Sequence, residues 1–278
     1  MKRVITIQDI SCVGKCSLTV ALPIISAMGA ECSILPTAVL STHTMFNGFT
    51  FRDLTSDITP IAEHWKKEKF VFDAIYTGYL GSFEQLKLVG TFIDDFRTDK
   101  NVVFIDPVMA DNGKLYPGFT EEFALAMAKL CAKADVIVPN LTEASFMLGI
   151  PYPGNEYDED YIRKILKDLT ALGAKNAVIT GTKFNDGEVG FMGYNAEREE
   201  YFSYAHRHIP VSFHGTGDVF SSTAVGALTL GKDLLESMKI AADYTVDCIE
   251  RTMQSPDHVN YAVEFERMLP SLMKTLEK

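Results

Sequence analysis

The feature that most constrains this chain is a regular alternation of two signals. Short β-branched or apolar runs recur at Arg3 to Ile7, Cys32 to Leu35, Asp73 to Tyr76, Val102 to Ile105, Val136 to Val138 and Ala177 to Thr180. Between several of them lie segments with helical spacing, Phe83 to Phe96, Thr120 to Ala132 and Asp158 to Leu172, each long enough to cross over a sheet. Strands that are apolar on both faces need helices on both sides, so the pattern predicts an α/β fold with a mostly parallel sheet between two helical layers. In such a sheet the ligand-binding residues gather beyond the carboxyl ends of the strands. Glu188 to Tyr194 and Glu200 to Ala205, either side of the polar Asn195-Ala196-Glu197-Arg198, predict a β-hairpin at one edge. No repeat, low-complexity tract or Pro/Gly/Ser-rich linker divides the 278 residues, and 47% hydrophobic content suffices for a sizeable core, so one domain is expected over residues 1–278.

The stretch around which chemistry is expected is His214 to Gly231, in which Gly215-Thr216-Gly217-Asp218 precedes an unbroken run of small and apolar residues from Val219 to Leu230. That order predicts a turn opening into a buried helix. Its first free N–H groups, at the positive end of the helix dipole, make an anion site that glycines let a ligand approach. A carboxylate aimed at an anion is costly unless it has work to do. Asp218 as acceptor of a hydroxyl proton during attack on phosphorus would be such work. An ordinary helix cap by Thr or Asp is the other reading of the same four residues.

The residues after each predicted strand bear on that choice. The first is followed by Gln8-Asp9 and by Val13-Gly14-Lys15-Cys16-Ser17, which lacks the first glycine and the Ser or Thr after lysine that a P-loop needs, and reads as a glycine turn before a helix. After the second comes Ser41-Thr42-His43-Thr44, able to bind a hydroxyl-bearing ligand or merely to satisfy its own backbone. Tyr79, between Gly78 and Gly81, either stacks on a flat ring or packs into the core. Asp106 ends the fourth strand before a proline with no obvious capping task, while Asp111-Asn112-Gly113 is also an ordinary turn. Asn140 and Glu143, three apart, form a capping box or hold magnesium, usually through water. Thr180-Gly181-Thr182-Lys183 offers hydroxyls and a cation to a nucleotide phosphate. All of these fall at one end of the predicted sheet, and together they are the parts of a phosphoryl-transfer site. His206-Arg207-His208 has no third ligand of suitable type nearby and is read as a surface or strand-end segment rather than a zinc site.

Composition narrows the partners. With 26 basic and 37 acidic residues the net charge is −11, which argues against a nucleic-acid or anionic-membrane partner. Five cysteines without a CxxC pair read as reduced thiols of a cytoplasmic protein. The apolar part of the N-terminus is broken at Gln8 and Asp9, too early for a signal peptide, and no apolar run approaches a membrane span.

The order of motifs, TIQD with Gln8, STHT with His43 and Thr44, TGY with Tyr79, DPVMADNG, PNLTEA, ITGT and GTGD, resembles the ribokinase superfamily and, within it, the pyridoxal kinases, from Arg3 to about Thr252. The resemblance implies a ribokinase-like three-layer α/β/α sandwich and phosphorylation by ATP of the 5′-hydroxymethyl group of a B6 vitamer, with magnesium required and a homodimer common. It implies that Asp218 is the base and that Gly215, Thr216 and Gly217 form the anion hole. Asp106, Asn140 and Glu143 match positions linked to magnesium and phosphate, Thr180 one that touches ATP, and Asp111 to Tyr116 the flap over ATP. His43, Thr44 and Tyr79 match positions lining the pyridine ring. Asp9 departs from the serine usual in animal and enteric members and is expected to contact a ring substituent; Met45-Phe46 is bulkier than usual. Hydroxymethylpyrimidine kinase, another small-molecule kinase of the superfamily and a non-catalytic vitamer-binding protein are the alternatives.

Overall fold

The structure, a computed structural model, describes residues 1–276. The chain forms two compact units, one made of residues 1–78, 98–101 and 209 onward, the other of residues 79–97 and 102–208. The first unit begins with β1 (Arg3–Ser11), α1 (Leu18–Ala27), β2 (Glu31–Leu40), β3 (Phe51–Asp53), α2 (Thr55–Lys67) and β4 (Ala74–Thr77). Its strands lie in the order β4-β1-β2-β3, parallel except for the short β3. Because β1 is paired on both sides, Val4, Ile5 and Ile7 are fully buried. That is the burial an apolar run with no polar face requires. The pairing of β1 with β2 shifts register between Gln8 and Ile10, so a bulge falls at Asp9.

The second unit contains α3 (Phe83–Phe96), β5 (Val102–Ile105), a two-strand ribbon of β6 (Ala110–Asp111) and β7 (Lys114–Leu115), α4 (Glu121–Cys131), β8 (Val136–Ile137), α5 (Leu141–Leu148), α6 (Glu159–Ala171), β9 (Asn176–Thr182), β10 (Glu188–Asn195) and β11 (Glu200–Arg207). Its strands run β11-β10-β9-β8-β5, with β5, β8 and β9 parallel and the β10–β11 hairpin antiparallel at the edge, as the sequence predicts. Three helices start where a side chain can replace the missing turn. Ser82 accepts from the Gln85 N–H, Thr120 from that of Phe123 and Asp158 from that of Tyr161. The predicted helices over Thr120 to Ala132 and Asp158 to Leu172 thereby lose only their cap residues.

The chain returns to the first unit with α7 (Thr216–Thr229), α8 (Leu234–Met253), a 3₁₀ turn over Phe265–Met268 and α9 (Leu269–Leu276). Val219, Ala224, Val225 and Ala227 of α7 are fully buried. Val20 and Ile24 of α1 and Met28 just after it pack with Val219 and Ala227 of α7 and Ile240, Tyr244 and Cys248 of α8 in one apolar cluster. This core makes the start of α7 a fixed point. Among the described residues no helix is long and apolar enough to cross a membrane.

Candidate active site

The residue that precedes α7 is Gly215, in the left-handed region at φ 81°, and no side chain caps the helix. The capping reading of Gly215 to Asp218 therefore fails. Two constraints require glycine there: the positive φ, and the Lys15 carbonyl oxygen, into which a Cβ would run. Gly217, by contrast, has open space where a Cβ would stand. Thr216 turns its hydroxyl back to donate to the Phe213 carbonyl over 3.2 Å. The first turn of α7 thus presents N–H groups that its own side chains leave uncapped.

Asp218 is half-buried in that turn, and its carboxylate accepts a hydrogen bond from the Ser17 backbone N–H. Burial, and secondarily the charge of Asp9, push its carboxyl up to about 7, against the lowering effect of the Ser17 bond. A carboxylate with that affinity for protons has the basicity that general-base work at neutral pH calls for. The Cys16 thiol beside it is raised as well, by burial first and then by Asp218 and Asp9, and stays neutral.

Asp9 is 4% exposed. Ser11 Oγ donates to its Oδ2 over 2.9 Å, and Ser17 supplies a second side-chain hydrogen bond. Its partners in the structure are thus loop hydroxyls. The glycine turn after β1 is a contorted loop in which Gly14, Lys15 and Ser17 all have positive φ. The Lys15 ammonium leaves toward Glu266 Oε2 at 2.8 Å and the Val263 carbonyl at 3.3 Å.

His43 is buried and stacks on His214, with ring centroids 5.0 Å apart and planes 20° from parallel. Its Nε2 lies 3.1 Å from the Tyr261 carbonyl, and Phe46 packs against both His43 and Tyr261 at 5.0 Å. Burial and then the neighbouring His214 charge lower the His43 pKa, which favours the neutral ring. Thr44, next to it, is exposed in a turn.

In the second unit Asn140 and Glu143 form a complete capping box. Asn140 Oδ1 accepts from the Glu143 N–H and Glu143 Oε2 from the Asn140 N–H, both over 2.9 Å. Glu143 also takes the Met109 N–H on Oε1 at 3.1 Å, and Asn140 Nδ2 donates to the Ala110 carbonyl at 2.8 Å, which ties the start of α5 to the segment entering β6. Glu143 is 3% exposed and Asp106 6%. Burial, then the Asp106 charge, raise the Glu143 carboxyl well above the ordinary carboxylate range. Two buried carboxylates in mutual repulsion suit a divalent cation, so the cap and the metal readings are compatible at these positions. Thr180 bridges to Asn140 across β9. Asp111 is held locally, its oxygens taken by the Asn112 N–H at 2.8 Å and side-chain amide at 2.9 Å, and Tyr116 is 37% exposed.

Tyr79 is partly buried and packs against Phe119 at 5.6 Å; Phe119 stacks on Phe123, the third residue of α4, at 4.3 Å. The segment carrying Asp111 and Tyr116 thus ends on an aromatic that touches Tyr79. Ser11, Ser17, His214, Phe119 and Tyr261 are residues that sequence reasoning did not single out. Position after a predicted strand or before the glycine turn marks Ser11, Ser17 and His214, whereas nothing local marks Phe119 or Tyr261.

Comparison with known proteins follows this geometry. The family model described as "Phosphomethylpyrimidine kinase" matches residues 27–263. A hydroxymethylpyrimidine/phosphomethylpyrimidine kinase of Helicobacter pylori is 30% identical over 191 residues, covering 67% of this chain and 68% of that one. A pyridoxine kinase of Bacillus subtilis is 31% identical over 195 residues, 67% of each. A Bacteroides thetaiotaomicron chain named as a candidate phosphomethylpyrimidine kinase, in a crystal form with pyridoxal, superposes with a TM-score of 0.92 at 37% identity, covering 98% of this chain and 95% of that one.

Proposed function

The chain belongs to the phosphomethylpyrimidine kinase family and is a kinase, and from that premise we propose that it transfers the γ-phosphoryl group of ATP to the 5′-hydroxymethyl group of a B6 vitamer. The observation that carries the reading is Asp218, raised to about 7 at the uncapped start of α7, where base and anion-binding N–H groups share one turn. The substrate hydroxyl oxygen attacks the γ-phosphorus as its proton passes to Asp218, and the bond from phosphorus to the bridging oxygen breaks to release ADP. The N–H groups of Gly215, Thr216 and Gly217 take the charge on the transferred group, a form of stabilisation that commonly supplies several kcal/mol. Open space at Gly217 suits an oxygen approaching the backbone.

Asp106 and Glu143 would hold magnesium, largely through water, and the ion when bound neutralises phosphate charge. Asn140 and Thr180 take the nucleotide, with Asp111 and Tyr116 closing over it. By the resemblance His43, Thr44 and Tyr79 are each expected to meet the ring, and a neutral His43 suits a ring that carries no net negative charge. The pyridoxal in the Bacteroides crystal form favours a B6 vitamer. The name of the Helicobacter relative favours the second reading, hydroxymethylpyrimidine as acceptor.

The experiment is ADP release from ATP with pyridoxal, pyridoxine, pyridoxamine and hydroxymethylpyrimidine compared side by side. A kcat/KM at least tenfold higher for one of the B6 vitamers supports the proposal. Preference for hydroxymethylpyrimidine replaces it with the second reading, and pyridoxal binding without turnover refutes both.

A further inference from the structure

The proposed chemistry employs Asp218 and leaves a second buried carboxylate beside it without a task. Asp9 sits at the bulge of β1, and a bulge redirects the side chain it carries. Ser11 Oγ holds its Oδ2 over 2.9 Å and Ser17 donates a further side-chain hydrogen bond. Ser17 occupies the position that should cap α1, yet its side chain makes no cap bond. Its backbone, at φ 54° and ψ −127°, is in a region that costs an L-residue about 1–3 kcal/mol and survives only where the surroundings enforce it. Here a bridge to Ile10 and the bonds from the Val20 and Ala21 N–H groups to the Ser17 carbonyl enforce it. In this conformation one residue reaches two carboxylates, its hydroxyl meeting Asp9 and its N–H meeting Asp218.

We propose that Asp9 is a positioning residue: anchored by Ser11 and linked through Ser17, it aims the Asp218 carboxylate and by its own negative charge makes that carboxylate a better base. The proposal rests on Asp218 being the base of the kinase reaction. The other groups around Asp218 oppose or ignore this role. The Cys16 thiol stays neutral, the Lys15 ammonium turns away to Glu266, and His214, four residues earlier, stacks on His43. Burial raises the Asp9 carboxyl above its ordinary value, opposed by the Ser17 and Ser11 hydroxyls, which favour the ionised form; the proposed role requires Asp9 ionised while Asp218 takes up and releases a proton.

Asp9→Asn removes the charge and keeps an oxygen for the serine hydroxyls. With one neighbouring unit charge lost from a partly screened site, the acid limb of kcat/KM should move about 0.5–1 pH unit lower. The plateau kcat should fall about 5–50-fold, with KM for the vitamer within about threefold and the pyridoxal-to-pyridoxamine ratio unchanged. A residue that merely supports the fold would lower the rate at every pH and leave the limb in place. Ser17→Gly accepts the positive φ, keeps the N–H and deletes the hydroxyl, so it should lower kcat without moving the limb. Asp9→Ser replaces Asp9→Asn if the asparagine variant does not fold.

The same titration is read without turnover from the Asp218 carboxyl carbon by NMR in ¹³C-aspartate-labelled protein. A downward shift of that titration in the Asp9 variant supports the proposal even if no acceptor is phosphorylated, in which case only the functional reading fails. An unmoved titration overturns the proposal, and an unmoved limb with an altered vitamer ratio assigns Asp9 to the substrate instead.

Discussion

Replacing Asp218, the proposed base, should strengthen the fold while it stops the reaction. Asp218 has an ordinary carboxyl pKa of 3.8 and is pushed up to about 7 in the folded protein. Below about pH 4 both folded and unfolded chains hold the proton and the group costs nothing. As pH rises from there the unfolded chain ionises first, and the folded state loses ground until Asp218 itself ionises near 7. Above that the penalty is constant. A shift of this size corresponds to at most about 4 kcal/mol at 1.36 kcal/mol per unit, and solvent contact with a half-buried side chain reduces it to about 1–3 kcal/mol. Asp218→Asn keeps the shape and an acceptor for the Ser17 N–H but carries no charge. It should therefore raise Tm by roughly 3–8 °C at pH 7.5 and by only about a quarter of that at pH 4.5. Turnover should fall about 10²–10⁴-fold with pyridoxal affinity little changed. Thermal unfolding of both proteins across that pH range, with kcat and binding at pH 7.5, provides the check. A variant less stable than the parent, or a Tm difference that ignores pH, would refute the reasoning about burial; retained turnover would refute the role of the base.

Gly217→Val fills the open space at the first turn of α7, so activity should drop more than about tenfold while Tm moves by less than about 3 °C; an active valine variant would mean that no phosphate approaches this backbone. Glu143→Gln removes one of the two buried charges and should raise the magnesium concentration for half-maximal rate about fivefold or more, measured at saturating ATP; an unchanged requirement leaves Glu143 as the cap of α5 alone. Phe119→Ala deletes the ring between Tyr79 and Phe123, contacts worth about 0.5–1.5 kcal/mol each, and should raise KM for the vitamer about 5–10-fold with a smaller change for ATP, while Phe119→Tyr restores it; equal changes in both constants would show general loosening of the segment.

Much of this protein was open to reading in one dimension because its signals are local. The doubly apolar runs predict strands buried on both faces, and Val102–Ile105 and Phe83–Phe96 match the observed elements to the residue. Caps such as Thr120, Asp158 and the Asn140–Glu143 box are set by residues three apart, a spacing that the sequence displays directly. The same holds for Gly215-Thr216-Gly217-Asp218, whose glycines and carboxylate announce a helix start with an unusual task. What tertiary structure decided is the electrostatic state and the partnership of those groups. The raised pKa of Asp218 comes from burial and from a carboxylate 209 positions away in the chain, and no spacing rule connects them. Asp9 looks from the sequence like a residue facing a ligand, and the fold gives it a bulge, two serines and Asp218 as neighbours. Phe119 gains its place from a ring contact with Tyr79, forty residues before it. Local sequence settles backbone conformation because the competing interactions lie within a turn. Desolvation and charge–charge energies depend on how distant segments pack, and are fixed only when the chain has folded.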